Sequence, residues 1–144
     1  MPKLDLMVAN KIVSKAIEKA REMNIPPVTV VVLDASGHPI SMQRENGASM
    51  FRFEVATGKA WASVAMGASS RALANRAKGN PNFFVTLAAT AHGKFLPQPG
   101  GVLIRDADGA VLGAAGASGG TGDEDEAICA FAVEQAGLRA DVSE

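Results

Sequence analysis

The sequence predicts an α+β domain in which an antiparallel sheet of about five strands carries helices on both faces. Two observations lead there. Asp34-Ala35-Ser36-Gly37 and Asp106-Ala107-Asp108-Gly109 each separate two apolar, strand-prone segments. Such a turn between such segments marks a hairpin, and hairpins require antiparallel neighbours. Segments of helical period stand before, between and after the two hairpins, so helices must cover the sheet. The D-A-x-G echo is convergent turn chemistry rather than a repeat, because the flanking helices do not match. Asp caps its own turn and Gly takes positive φ.

Each element follows in order. Asp5 can cap a first helix running to about Met23, with Ile12, Val13, Ala16, Ile17 and Ala20 as its apolar stripe. Asn24 and Pro26-Pro27 stop it. Val28–Leu33 is rich in β-branched residues and reads as a central strand buried on both faces. His38–Arg44 returns beside it. Ser49 can start a second helix through Met66 whose apolar residues occur around its whole circumference, so more than one neighbour must bury it. Gly67 interrupts it, and Ser69 or Ser70 can cap a shorter helix. Asn80-Pro81-Asn82 is a loop or helix start, and Phe83–Ala91 is read as a further short helix. His92-Gly93-Lys94 turns, and Phe95-Leu96 is expected to add a short edge strand.

The best-specified stretch is Pro99–Ala132. Val102–Arg105 and Ala110–Ala117 form the second hairpin, and Ser118–Gly122 is a glycine-rich corner. Thr121 and Glu124 have capping-box spacing, with Asp123, Glu124, Asp125 and Glu126 crowded into the first turn of the last helix. That helix ends near Ala136, with Gly137 as its C′ residue.

Composition bounds the function. A chain of 144 residues forms one domain, here taken as residues 1–144, and its 14 basic against 15 acidic residues leave a net charge of −1. No broad attraction for nucleic acid or an anionic membrane follows. The apolar runs are too short to span a bilayer. Charged residues from Lys3 to Glu18 break up any signal-peptide core, so a cytoplasmic protein is expected. The single cysteine, Cys129, excludes an intrachain disulfide and reads as a small buried hydrophobe. A near-neutral chain with so apolar a second helix is expected to self-associate, with an interface well over ~1,000 Å².

Lys59 stands out as the one charged residue between Glu54 and Arg71. An ammonium in such surroundings must pair, snorkel or bind something. Two readings stay open: an ion pair with Asp125 or Glu126, or a catalytic or ligand-binding lysine facing a pocket beside Gly119-Gly120. The glycine corner lacks the context of a phosphate cradle, and the carboxylates after it would repel a phosphate. His38 and His92 are the two histidines, each next to glycine or within a turn-like stretch, exposed or available as ligands. Neither belongs to a zinc-type spacing, so no dedicated metal site is expected. Neither a G-x-S-x-G elbow nor an activated cysteine is present.

Taken in order, the first helix, VVVLDASGHPISMQRENGA, TGKAWAS, FLPQPGGVLIRD and GAAGASGGTGDEDEAI resemble the GlcG/HbpS-like family, also called the haem-degrading domain family. The resemblance covers nearly the whole chain. It implies a profilin-like α/β/α sandwich, assembly into homo-oligomers, often octamers, and relatives that include haem-binding proteins, C-terminal domains of PduO-type cobalamin adenosyltransferases and small products of catabolic operons. Lys59 matches the family's recurring lysine. Gly100, Gly101, Gly119, Gly120, Asp125 and Glu126 match its P-G-G and S-G-G-T-x-x-x-D-E motifs. Haem-binding members place an axial histidine on the first helix, and this helix has none. His38 or His92 would have to serve instead, with Cys129, Met7, Met23 and Met42 as other donors.

Three functions follow as expectations: binding of haem or another tetrapyrrole; action on a small organic acid or aromatic compound; or a structural or regulatory oligomer. In the second, Lys59, Arg44 and His92 lie near the pocket, with Trp61 and Phe51 or Phe53 as its apolar wall.

Overall fold

A computed structural model describes residues 3–144. Among these residues five helices and five strands follow in the order α1 (Leu6–Glu22), β1 (Thr29–Asp34), β2 (Pro39–Arg44), α2 (Phe51–Met66), α3 (Ser70–Gly79), α4 (Pro81–Thr90), β3 (Gly101–Arg105), β4 (Val111–Ser118), α5 (Gly122–Gln135) and β5 (Arg139–Asp141). The strands form one sheet in the order β2-β1-β4-β3-β5, with every neighbouring pair antiparallel. The α+β class expected from the sequence is the observed one.

Alternation along β1 divides the core. Val30 and Val32 join the cluster beneath α1 and α5, with Ile12, Val13, Ile128 and Val133. Val31 and Leu33 point the other way, to Ala56 and Ala60 of α2. A strand buried on both faces has no polar side to show, hence its unbroken apolar sequence. Beside it β4 contributes small residues, Gly113 to Ala117, all buried. They let α2 lie close on the sheet. A third cluster, Ala62, Leu73, Phe84 and Phe95, packs α3 and α4 against the outer side of α2.

Local signals act as expected at the ends of α1 and α5. At the start of α2 they do not: Met50 rather than Ser49 stands at the N-cap, and no side chain caps the helix. Asp5 Oδ1 accepts the Val8 N–H at 2.9 Å. Thr121 and Glu124 close a full capping box around the start of α5, satisfying two donors that the helix cannot. Gly137 follows α5 at φ +83°.

A strand expectation fails too. Phe95-Leu96 forms no strand: Phe95 is buried with Leu73 and Phe84, and the Leu96 N–H donates to Gly58 O at 3.3 Å, on α2. The fifth strand is instead β5, three residues paired to β3 after Gly137. Its anchor is electrostatic, with Arg105 Nε 2.8 Å from Asp141 Oδ2. Burial alone would raise the Asp141 pKa. Hydrogen bonds from the Ser143 hydroxyl and N–H, and from Arg105, outweigh it and hold the carboxyl below its ordinary value. A depressed folded-state pKa stabilises above the unfolded value, about 3.9, and that stability is lost as pH falls through the folded value. Asp141→Asn is therefore expected to cost about 1 kcal/mol at neutral pH, since the pair is partly exposed. The stability difference between mutant and wild type should start to shrink as pH falls below about 4; a difference that stays constant as pH is lowered from about 7 to the acid limit of folding would refute the assignment.

Candidate functional site

Lys59 sits in mid-α2 and is 4% exposed. Its Nζ donates to Asp125 Oδ2 and to the Ala117 carbonyl, each at 3.0 Å. Asp125 Oδ1 accepts the Gly120 N–H at 2.9 Å. A buried ammonium and carboxylate thus share one node joining α2, the end of β4, the glycine corner and α5. The motif glycines make room for it. A Cβ on Gly100 would lie 2.7 Å from Lys59 Nζ, and one on Gly101 2.5 Å from the Lys59 carbonyl oxygen. Gly119 and Gly120 press similarly on Pro27 and Glu124.

Glu126 belongs to a neighbouring cluster. Arg71 Nε lies 2.8 Å from Glu126 Oε2, and Arg71 Nη2 also pairs with Asp123. Glu126 first, then Asp123, push the Arg71 pKa above its ordinary value. Cys129 is fully buried, and desolvation drives its thiol pKa upward, with Asp125 adding to the effect. A thiol so placed is a packing group rather than a nucleophile.

A groove of about 670 Å³ opens on the far side of α2, within the size range of small-molecule sites. Three segments build it. The β1–β2 turn brings Gly37, His38 and Pro39. Phe51, Val55, Gly58 and Trp61 follow at three- and four-residue spacing on one face of α2. The connection after α4 brings His92 to Lys94 and Leu96. Close contacts fix these walls: a Cβ on Gly37 would lie 3.3 Å from Trp61 Nε1, and one on Gly58 2.8 Å from Leu96 Cβ. His92 holds a left-handed φ of +57°, an uncommon conformation for a side-chain-bearing residue and one that clusters at functional sites. Thr57 also lines the groove, and its Oγ1 is buried with no hydrogen-bond partner among the described residues.

The structure therefore separates the residues singled out in the sequence. Both histidines, Trp61 and Phe51 meet in the groove. Lys59, Asp125 and the motif glycines form the buried node, and Glu126 pairs with Arg71. Arg44 lies apart on edge strand β2, donating to Ala48 O at 2.8 Å, and Phe53 packs on the sheet side with Val31 and Leu33. Lys59, Arg44 and His92 do not share a pocket, because the Lys59 side chain runs to Asp125 instead of the groove. Val55 and Gly58 were missed, although their spacing from Phe51 and Trp61 marks one helix face. Leu96 and Lys94 had no such signal.

Sheet, helical layers and groove define a three-layer α+β domain with a ligand-sized cleft beside its central helix. The chain belongs to the family of the haem degrading protein HbpS-like, whose model matches residues 4–134. It is 30% identical over 118 residues to the corrinoid adenosyltransferase PduO of Salmonella typhimurium strain LT2, covering 82% of this chain and 34% of that protein. The chain thus spans about a third of the curated relative's length. Among solved structures, PduOC in complex with haem superposes with a TM-score of 0.84 at 26% identity, covering 99% of this chain and 100% of that one. A double mutant of Streptomyces reticuli HbpS gives 0.79 at 26% identity, covering 94% and 88%. The Klebsiella pneumoniae protein ORFY shares the fold, with a TM-score of 0.84 at 22% identity over 95% and 93%. No helix among the described residues is long and apolar enough to cross a membrane.

Proposed function

We propose that the protein binds a tetrapyrrole, haem or a corrinoid, in the groove between the β1–β2 turn, α2 and the connection after α4. The observation that carries this reading is the convergence there of both imidazoles in the chain with an indole and a phenyl wall. The donor set fits the group. Imidazole nitrogen is a common axial ligand, and Trp61, Phe51, Val55 and Leu96 offer the apolar surface a macrocycle requires. His38 and His92 are the residues that would hold the metal. Bound haem would supply a redox-active iron, and the chain's part is to ligate, flank and shield it. The family and the haem complex of PduOC support a haem-type ligand; the groove is a different seat from the first helix, which lacks the histidine that the family resemblance implies. The adenosyltransferase activity of full-length PduO is not carried over to a domain a third its length.

The reading includes a homo-oligomer, in line with an octamer. Met50 and Phe51 at the start of α2, Phe83 and Val85 on α4, and Met7 on α1 are 81%, 69%, 51%, 71% and 80% exposed, and large exposed apolar side chains of this kind are surface that self-association covers.

Titration with hemin and, separately, with cobalamin tests the proposal. Trp61 is the sole tryptophan, so ligand in the groove should quench its fluorescence saturably while the absorption band of the ligand shifts. The His38→Ala/His92→Ala double variant should lose the imidazole-ligated spectrum. Sedimentation of the same samples reads the assembly. Unquenched fluorescence with both ligands would sink the binding site, and a monomer at micromolar concentration would sink the oligomer.

A further inference from the structure

We infer that the start of α2 holds a second binding site, for a phosphate dianion, free or carried by a small ester. Its floor is a row of three side chains. Arg44, Thr29 and Ser118 stand opposite one another on β2, β1 and β4, and cross-strand partners share a face of the sheet. Alternation along β1 puts Thr29 with Val31 and Leu33, on the face that α2 covers. The row lies where α2 begins, because Arg52 of its first turn donates from Nη1 to Ser118 Oγ at 3.2 Å. Arg44 Nη1 donates to the Ala48 carbonyl at 2.8 Å, two residues before the Met50 N-cap. Both guanidinium groups are thereby brought to the same helix end. None of the four residues lines the groove, so the inference stands apart from the tetrapyrrole reading.

Three observations call for an anion there. Thr29 is fully buried, yet its Oγ1 has no hydrogen-bond partner among the described residues, an omission that native structures rarely carry without cause. Arg44 and Arg52 form no ion pair among the described residues, and each spends one of its five N–H donors on the bond just given. No side chain caps α2, which leaves the positive end of a 16-residue helix without a side-chain acceptor. The nearby acids are committed or turned away. Glu45 takes Arg21 and the Val28 N–H, and Glu54 lines the groove. Past Ser118, Asp125 pairs with Lys59, Asp123 and Glu126 pair with Arg71, and Glu124 closes the capping box. Two guanidinium groups and a helix N-terminus match a dianion, and the guanidinium fork suits phosphate oxygens. A single carboxylate would leave one cation over. Arg44 is exposed and Arg52 half-buried, so the anion arrives from solvent. Arg52 covers the two hydroxyls, and its guanidinium, held by one bond to Ser118, is the part that turns to admit the anion.

Thermal midpoints and phosphorus NMR line widths are measured with inorganic phosphate and with glycerol phosphate at about pH 8, where both are dianions. Chloride and acetate at matched ionic strength are the controls. Phosphate should stabilise the wild type saturably, and chloride and acetate should not. A tighter response to the ester marks a carried group, an equal one free phosphate. Arg44→Gln and Arg52→Gln should each weaken phosphate binding about tenfold or more, and Arg139→Gln, at an exposed arginine of β5, should leave it unchanged. Thr29→Val should act in two opposite directions. It raises the midpoint without phosphate, because it removes an unpaired buried hydroxyl, and it weakens phosphate binding. Should an arginine variant fail to fold, Thr29→Val decides alone. No phosphate effect beyond matched ionic strength overturns the site. A phosphate effect that survives all three substitutions places the anion elsewhere and overturns it equally. An equal response to acetate overturns the assignment of a dianion.

Discussion

Lys59→Met is expected to lower the free energy of unfolding by about 3–5 kcal/mol, a large share of the ~5–15 kcal/mol of a typical domain. The cost does not come from losing a strong attraction. A buried ion pair nearly cancels against the desolvation of its two members, so the intact pair contributes little net stability. It comes from what remains. Asp125 is 1% exposed, and without Lys59 its carboxylate keeps the Gly120 N–H and the field at the start of α5 but no counter-charge. The Ala117 carbonyl loses a donor as well. Replacing both members, as in Lys59→Met with Asp125→Leu, should recover much of the loss. Urea denaturation of the two singles and the double forms a cycle that isolates the coupling. Equal midpoints for Lys59→Met and wild type would refute this account of the node. Lys59 does not line the groove, so Lys59→Met should still bind hemin at temperatures where it is folded. Loss of binding by a folded Lys59→Met would restore a ligand-contacting role to Lys59.

Most of the fold was legible because each local signal agreed with the global one. The first helix announces itself by Asp5 and a stripe of which Ile12, Val13, Ala16 and Ala20 are fully buried. The hairpins follow from two Asp-x-x-Gly turns, and the capping box starts α5 where expected. β5 was not legible. Its three residues are held by backbone pairing to β3 and by the Arg105–Asp141 pair, and neither leaves an apolar period in the sequence. Phe95-Leu96 has the opposite character. It looks like a strand because it is apolar, yet its burial is against α2, α3 and α4 rather than in a sheet.

The candidate site was legible in its parts and not in its assembly. A lone charge in an apolar helix made Lys59 conspicuous, and the acidic turn of α5 named its two possible partners. Nothing local distinguishes Asp125 from Glu126. Helix position decides it, turning Asp125 inward to Lys59 and Glu126 outward to Arg71. His38 and His92 stand far apart in sequence, and only the packing of the first turn and the α4–β3 connection on one face of α2 brings them to the same groove.

That packing depends on how closely α2 approaches the sheet, and Gly116 sets the distance. It pairs with Val31 on one side and Gly101 on the other, in the middle of the sheet. A Cβ there would overlap the Ala56 carbonyl oxygen and lie 3.0 Å from Ala60 Cβ. The oxygen belongs to helix backbone and cannot swing aside as a flexible side chain would. Gly116→Ala must therefore lift α2, and with it the Lys59–Asp125 contact and the Phe51–Trp61 wall. Overpacking of this kind costs about 1–3 kcal/mol, and the rigid neighbour argues for the upper end. Gly79→Ala is the contrasting substitution: it ends α3 with nothing within 4 Å of an added Cβ, so stability should hold or rise by up to about 1 kcal/mol. Denaturation midpoints and Trp61 emission measured on both variants decide the matter. A Gly116→Ala protein as stable as wild type, with an unshifted emission maximum, would mean that α2 has room to spare and that β4 does not set the groove.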